Sequence, residues 1–139
     1  MSRLFRRSGT AAAVIAAASS LTLLAATGAH AVGVTAHSAD ARFTGSYYVT
    51  NTAVKVNGTL KDLGSHKKGS AVYLAVRTTT TSYNTPVISL DGKGSKTIPT
   101  TYFDYAGTFL SGTITACSYE NQTNGGSAWR CGAGVGVYK

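Results

Sequence analysis

The sequence predicts an all-β protein, an antiparallel β-sandwich of about seven strands, with a small β-barrel as the alternative. Three observations carry this. Apolar and polar residues alternate with period two from Gly45 onward. Turn-forming residues recur roughly every 8 to 12 positions. Thr, Tyr and Val, which suit a pleated strand, are abundant, and no segment after the N-terminal leader has helical periodicity.

Residues 1–31 read as a signal peptide. Arg3, Arg6 and Arg7 form a basic start, an apolar run extends from Ala11 to Ala26, and Ala29-His30-Ala31 supplies the small residues, Ala29 and Ala31, of a cleavage site. The run is about 16 residues, short of the roughly 20 a membrane span needs, so contact with the membrane is expected only during export. Ser8 and Gly9 follow Arg6-Arg7 where the twin-arginine route prefers a large apolar residue, which favours general secretion. The expected destination is extracellular. Cleavage removes three of the 13 basic residues and leaves ten against five acids. These positives are scattered singly apart from Lys67-Lys68, which speaks for solubility and against nucleic-acid binding, where clustered Lys and Arg are needed. A basic surface can still attract anionic wall polymers or an acidic protein.

Residues 32–44 are expected to form a flexible N-terminal arm, because the Ala-rich stretch Val32 to Arg42 shows no periodicity. The β-sandwich then occupies 45–139. Gly45 to Thr50 is a first short strand. Ala53 to Leu63 is a second, with Val54, Val56, Gly58 and Leu60 on one face and Lys55, Asn57, Thr59 and Lys61 on the other. Asn57-Gly58 has hairpin chemistry, but the alternation keeps its phase through it, so the glycine marks a bulge or a close packing point. Gly64 to Gly69 is a turn. Ser70 to Thr78 is the clearest strand, with Val72, Leu74 and Val76 inward. Thr79 to Asn84 reads as a loop, and Pro86 delays the next strand to Val87–Leu90. Asp91-Gly92 then predicts a hairpin, with Ser95 to Asp104 returning and Pro99 setting it at an edge or a bulge. Ser111 to Tyr119 and Ala128 to Tyr138 complete the domain.

An exported domain meets an oxidising environment, so Cys117 and Cys131 are expected to pair. The loop of about 15 residues they close is worth about 3 kcal/mol in the chain-entropy model. Placing the cysteines opposite each other centres a hairpin on Asn124-Gly125-Gly126, which is good turn chemistry. Tyr119 then falls opposite Trp129 as an aromatic cross-strand pair, Thr115 opposite Ala133 and Thr113 opposite Val135. Gly132, Gly134 and Gly136 leave one face of the last strand bare, expected to be filled by a neighbouring element, with a docked backbone or flat ligand as the alternative.

Little in the chain points to catalysis. No acid among Asp40, Asp62, Asp91, Asp104 and Glu120 is singled out as one of a hydrolytic pair. His37 lies in the expected arm and His66 in a lysine-flanked turn, neither at metal-ligand spacing from a cysteine. Asp91 to Ser95 lacks the helix that a phosphate loop opens. Neither cofactor nor metal is expected, and the chain does not read as an enzyme. The aromatic residues are the stronger lead. Neighbouring aromatics point to opposite faces, so Tyr47-Tyr48 and Tyr102-Phe103 cannot both be wholly buried. Exposed aromatics serve protein interfaces or stack on sugars. The candidate binding surface is Trp129, Tyr119, Tyr47, Tyr102 and Tyr105, with amides from Asn121, Gln122 and Asn124 near Trp129.

The stretches Val54-Lys55-Val56-Asn57-Gly58-Thr59-Leu60-Lys61-Asp62, Ala71-Val72-Tyr73-Leu74, Cys117 and Trp129-Arg130-Cys131-Gly132 resemble the small, one-disulfide secreted proteins of streptomycetes and related actinomycetes. Within that group the chain resembles the adaptor subunit of umbrella toxin particles, in size and strand style over the mature length. The resemblance implies a non-enzymatic scaffold joining two proteins of an extracellular antibacterial toxin assembly, with Val32 to Arg42 free to insert into one by strand addition. It carries over no site residues. The leading expectation is therefore a secreted protein-binding or adaptor module. A carbohydrate or cell-wall binding module centred on Trp129 and Tyr119 is the alternative, and an enzyme inhibitor presenting His66-Lys67-Lys68 as bait is the third.

Overall fold

Period-two patterning with one face apolar is satisfied when two sheets bury those faces against each other. The computed structural model describes residues 30–121 and 124–139, and does so in this way. The expected leader up to Ala29 lies outside those residues, as does Gln122. The strands are β1 (Val32–His37), β2 (Ala41–Val49), β3 (Ala53–Asp62), β4 (Ser70–Thr78), β5 (Ser82–Leu90), β6 (Gly94–Asp104), β7 (Phe109–Asn121), β8 (Ser127–Cys131) and β9 (Val135–Val137). One sheet has the order β1-β2-β3-β6. The other has the order β5-β4-β7, and β8 and β9 share the place beyond β7. Every pairing is antiparallel.

The core lies between the sheets. Phe43, Val54, Val56 and Leu60 from the first sheet meet Val72, Leu74, Val76 and Ile114 from the second, all fully buried or nearly so. Side chains of this size contribute about 1.5–3 kcal/mol each on burial. The sheets do not close into a barrel. Edge strands β5 and β6 belong to different sheets and are strapped by side chains instead: Tyr83 Oη donates to the Asp104 carbonyl at 3.2 Å and Lys96 Nζ to the Ser89 carbonyl at 3.1 Å.

Several expectations are corrected. Residues 32–44 are not a free arm, and the folded domain begins before residue 45. Val32–His37 pairs residue for residue with Arg42–Tyr47, burying Val34 and Ala36. The β1–β2 turn is also pinned, because Ser38 Oγ donates to Ser118 Oγ of the opposite sheet at 2.7 Å. Small residues are what this edge admits, which is why the stretch lacks a conspicuous pattern. Asp91-Gly92 is not a hairpin. Gly92 does take φ 75°, but the turn carries the chain from β5 in one sheet to β6 in the other. Strand β5 starts at Ser82 rather than Val87, and Pro86 sits within it at a register shift against Val72/Tyr73. An edge strand tolerates this, since one row of its N–H groups faces outward. The cysteine register holds through Cys117↔Cys131 and Tyr119↔Trp129, then fails. Gly132 to Gly134 leave the sheet, and β9 resumes with Ile114↔Val135 and Thr113↔Gly136, not Thr113 opposite Val135.

Close approach requires glycine at several positions, two of which bear on the expectations above. At Gly132 a Cβ would run into the His37 carbonyl at the end of β1, while the spaces at Gly134 and Gly136 are taken by Thr113 and by the Tyr138 ring. At Gly58 the register of β3 against β6 shifts, and a Cβ would come within 2.6 Å of the Phe43 ring and 2.7 Å of the Thr44 carbonyl. Gly58→Ala is therefore expected to cost about 1–3 kcal/mol through overpacking. Chemical denaturation should show it as a lower midpoint at unchanged slope, and an unchanged midpoint would mean that the Phe43 ring moves aside freely.

Candidate functional site

Alternation that sends Ser118 and Ala116 inward sends Tyr119, Cys117 and Thr115 outward. The outer face of the five-stranded sheet is built from these positions. Cys117 and Cys131 are bonded across β7 and β8, and Ala71 of β4 lies on the other side of Cys117. Two residues further along, Tyr119 and Trp129 pair as expected, with ring centroids 5.6 Å apart and an edge-to-face angle of 77°. Trp129 is 46% exposed.

The β3–β4 loop completes this cluster. The Tyr119 amide donates to the Gly69 carbonyl at 3.0 Å, which continues the β4–β7 pairing past its end and brings the preceding residues alongside Tyr119. Lys68 Nζ lies 4.5 Å from the Tyr119 ring centroid and donates to its hydroxyl at 3.4 Å. His66 packs edge-on to the same ring at 5.1 Å and 74°. Its Nε2 donates to Asn121 Oδ1 at 2.7 Å. Ser127 Oγ donates to the same oxygen at 3.2 Å, and Tyr119 Oη donates to the Ser127 carbonyl at 3.3 Å. Tyr119 is thus enclosed by His66, Lys68 and Trp129, while the indole keeps much of its surface open. Asn124 is not part of the cluster, because its Oδ1 accepts from the Gly126 amide of its own turn at 3.0 Å.

The other candidate aromatics divide. Tyr102 is 59% exposed, but on the opposite side of the sandwich. There Lys55 Nζ lies between two rings, 4.4 Å from that of Tyr102 and 4.8 Å from that of Tyr48. Hydrogen bonding to Tyr48 is the largest cause that raises the Lys55 pKa above its ordinary value, with Tyr102 adding to it against a cost of desolvation. Tyr47 is a core residue, not a surface one. It is 3% exposed, its hydroxyl donates to the Gly136 carbonyl at 3.4 Å and it accepts from the Tyr138 amide at 3.3 Å. The phase of β2 from Ala41 and Phe43 onward puts it inside. Tyr105 is not a free platform either, because its ring packs on Phe109 at 5.7 Å and its hydroxyl donates to the Thr50 carbonyl.

The sequence offers His66 and Lys68 only as inhibitor bait and does not mark Lys55 as a partner of the aromatic residues. Lys55 shows only as one polar position in an alternating strand. His66 and Lys68 reach Tyr119 through a strand pairing that joins residues about 50 apart in the chain. The doublet Lys67-Lys68 beside His66 was the available signal. Chemically, the cluster offers an open indole, an ammonium, an imidazole tied to an amide and a hydroxyl. That is a set for contact and hydrogen bonding. Among the described residues no group of three or more His, Cys, Asp or Glu side chains is placed to hold a metal ion. No family model, curated protein or solved structure matches the chain.

Two outcomes follow from this geometry. Trp129 is the sole tryptophan, so its fluorescence reports on the site alone. Reducing Cys117–Cys131 should cost about 3 kcal/mol and red-shift Trp129 emission. An emission maximum that stays put on reduction would show that the β7–β8 hydrogen bonds hold the site unaided. Tyr105 and Tyr83 have pKa values raised above the ordinary 10.0, chiefly by burial, and for Tyr83 also by the nearby Asp104 charge. Burial favours the neutral phenol in the folded state, so their contribution is whole below about pH 10 and is lost as pH rises through the folded values. The loss of stability with pH in that alkaline window should be shallower for Tyr105→Phe than for the natural chain.

Proposed function

We propose that this protein is an exported, non-catalytic binding module that docks an extracellular protein partner through the Trp129 face of its five-stranded sheet. The carrying observation is the cluster itself: an indole left open beside a tyrosine already packed by Lys68, His66 and Trp129, all fixed next to a disulfide. Tryptophan and tyrosine dominate the energy of protein interfaces, and rigid anchors lose little entropy on docking. The disulfide is compatible with an oxidising, extracellular location, and the leader-like residues 1–31 supply a route there. The likeness to adaptor subunits of secreted toxin assemblies agrees with a module of two unlike faces. In this reading β1 is part of the docking body and not a free inserting arm.

A carbohydrate ligand is the second reading. It is favoured by the open indole and by the amide of Asn121 nearby, since sugar sites combine a stacking ring with polar side chains. An enzyme-inhibitor reading is weakened, because two of its three bait residues, His66 and Lys68, are occupied by Tyr119.

The test is capture from culture medium with the tagged mature protein and its Trp129→Ala variant, both shown folded by circular dichroism. The natural chain should recover one partner in near-stoichiometric amount, and the variant at least tenfold less. Equal recovery by both, or none by either, overturns the proposal. Glycan-array binding lost in Trp129→Ala would instead select the sugar reading.

A further inference from the structure

The four-stranded sheet carries a second surface on the opposite side of the sandwich, and its chemistry differs from that of the Trp129 face. Cations scattered in the sequence are brought side by side by strand register. Arg42 pairs with Lys61 across two adjacent strands, and His37 of the edge strand lies opposite Arg42. The next outward rung is four threonines in register, Thr35, Thr44, Thr59 and Thr97. The rung after it holds Ser46 and Asn57, with Asn57 Nδ2 donating to Thr100 Oγ1 at 3.4 Å. A depression of about 280 Å³ lies at the first two rungs, lined by Arg42, Thr44, Thr59 and Lys61.

This arrangement has an electrostatic cost. Like charges directly opposite on adjacent strands, about 4.8 Å apart, destabilise a sheet. The nearby carboxylates are turned elsewhere. Asp62 is buried, with Oδ1 accepting from the Gly64 amide at 2.8 Å, and Asp40 lies against Gly64. The one acid at an outward strand position, Asp104, sits at the far end of the face opposite Ala53, beyond Lys55 and Tyr102. Arg42 and Lys61 line this depression with Thr44 and Thr59, and the Thr59 hydroxyl pairs with that of Thr97 at 2.7 Å. A guanidinium and an ammonium beside hydroxyls suit the oxygens of a phosphate group.

We propose that this face binds a phosphodiester-linked polyol, an extended polyanion whose phosphates alternate with hydroxyl-bearing carbons. Arg42 and Lys61 take a phosphate, and the rungs of Thr, Ser and Asn side chains take the neighbouring hydroxyls. Lys55, six residues along the same strand face from Lys61 and so roughly 20 Å away, adds a third cation for a later phosphate. Single-stranded nucleic acid shares the phosphates but needs rings spaced along the track for successive bases, and Tyr48 and Tyr102 lie together at the Lys55 end of this face. The inference goes beyond the partner-docking reading and does not depend on it.

The experiment uses poly(glycerol phosphate) as the probe, with poly-glutamate and a single-stranded DNA oligonucleotide of equal charge as comparators, at several salt concentrations. The mature protein should bind poly(glycerol phosphate) most tightly, and more weakly as salt rises. Arg42→Gln with Lys61→Gln should weaken binding at least tenfold, whereas Lys67→Gln with Lys93→Gln, an equal change of net charge elsewhere, should not. Thr44→Val with Thr59→Val should weaken the polyol polymer more than poly-glutamate. Without polymer, Arg42→Gln should melt no lower than the natural chain, and the polymer should raise the melting temperature of the natural chain but not that of Arg42→Gln with Lys61→Gln. Trp129→Ala should leave all of this intact, so failure here and failure of partner capture are separable. Equal binding by the two charge-matched double variants, or DNA or poly-glutamate bound as tightly as the polyol polymer, overturns the proposal.

Discussion

The pairing of β4 with β7 is the constraint on which the other features rest. Its register, Ser70↔Ser118 through Leu74↔Ile114, places Val72, Leu74, Ala116 and Ile114 on the buried side together. A slip of one residue would turn one strand's set, Val72 and Leu74 or Ile114 and Ala116, to solvent. The same register sends Ala71, Cys117 and Tyr119 outward and sets Cys117 where Cys131 can reach it. Because the pairing runs on to the Gly69 carbonyl, it also decides that Lys68 and His66 lie against Tyr119. Core, disulfide and aromatic cluster are thus consequences of one ladder, not three separate solutions.

The first sheet solves a different problem. Its inner face must accommodate the full bulk of Phe43 beside Leu60, and Gly58 leaves space for the ring, while Gly45 opposite it lets the β3 backbone come close. The bulge opposite Pro99 and Thr100 then lets β6 continue as an edge strand despite its proline. The outer face has no such packing demand. Free of it, the face carries hydroxyls, an amide and cations in rows, with Arg42 opposite Lys61.

What could be read from the sequence follows from how local each signal is. Strands β3 and β4 were legible almost to the residue, because Val54 to Leu60 and Val72 to Val76 alternate strictly and are bounded by turn residues. Half of the site was legible too, since the cysteines and the Asn124-Gly125-Gly126 turn fix the pairing of Tyr119 with Trp129 independently. The rest depends on contacts distant in sequence. Strand β1 buries only Val34 and Ala36, too little apolar bulk to announce a strand, and its order comes from β2 and Ser118. The turn at Thr79 and Thr80 has no Gly, Pro or Asn, so nothing local separates β4 from β5; Thr78 Oγ1 closes it by accepting from the Thr81 amide at 3.0 Å. Asp91-Gly92 has hairpin chemistry, yet the identity of the sheet that receives β6 is decided by β3. Tyr47 looked like a surface aromatic because the phase of β2 is set by Ala41 and Phe43, residues assigned to an arm.

The two outer faces are held in fixed relation, and β1 is the means. Its last residue, His37, stands on the cationic rung, while its carbonyl abuts Gly132, next to the disulfide beneath Trp129. One residue further, Ser38 reaches Ser118, whose hydroxyl in turn donates to Glu120 at 2.6 Å, and Ser118 precedes Tyr119 in the chain. The end of a strand on one sheet therefore braces the segment that presents the aromatic cluster on the other. Such bracing couples the two faces through a backbone contact and part-buried hydroxyls. A ligand on one side and a partner on the other would then be joined by a rigid spacer whose thickness is set by the packing of the two sheets, about 10 Å between their mean planes.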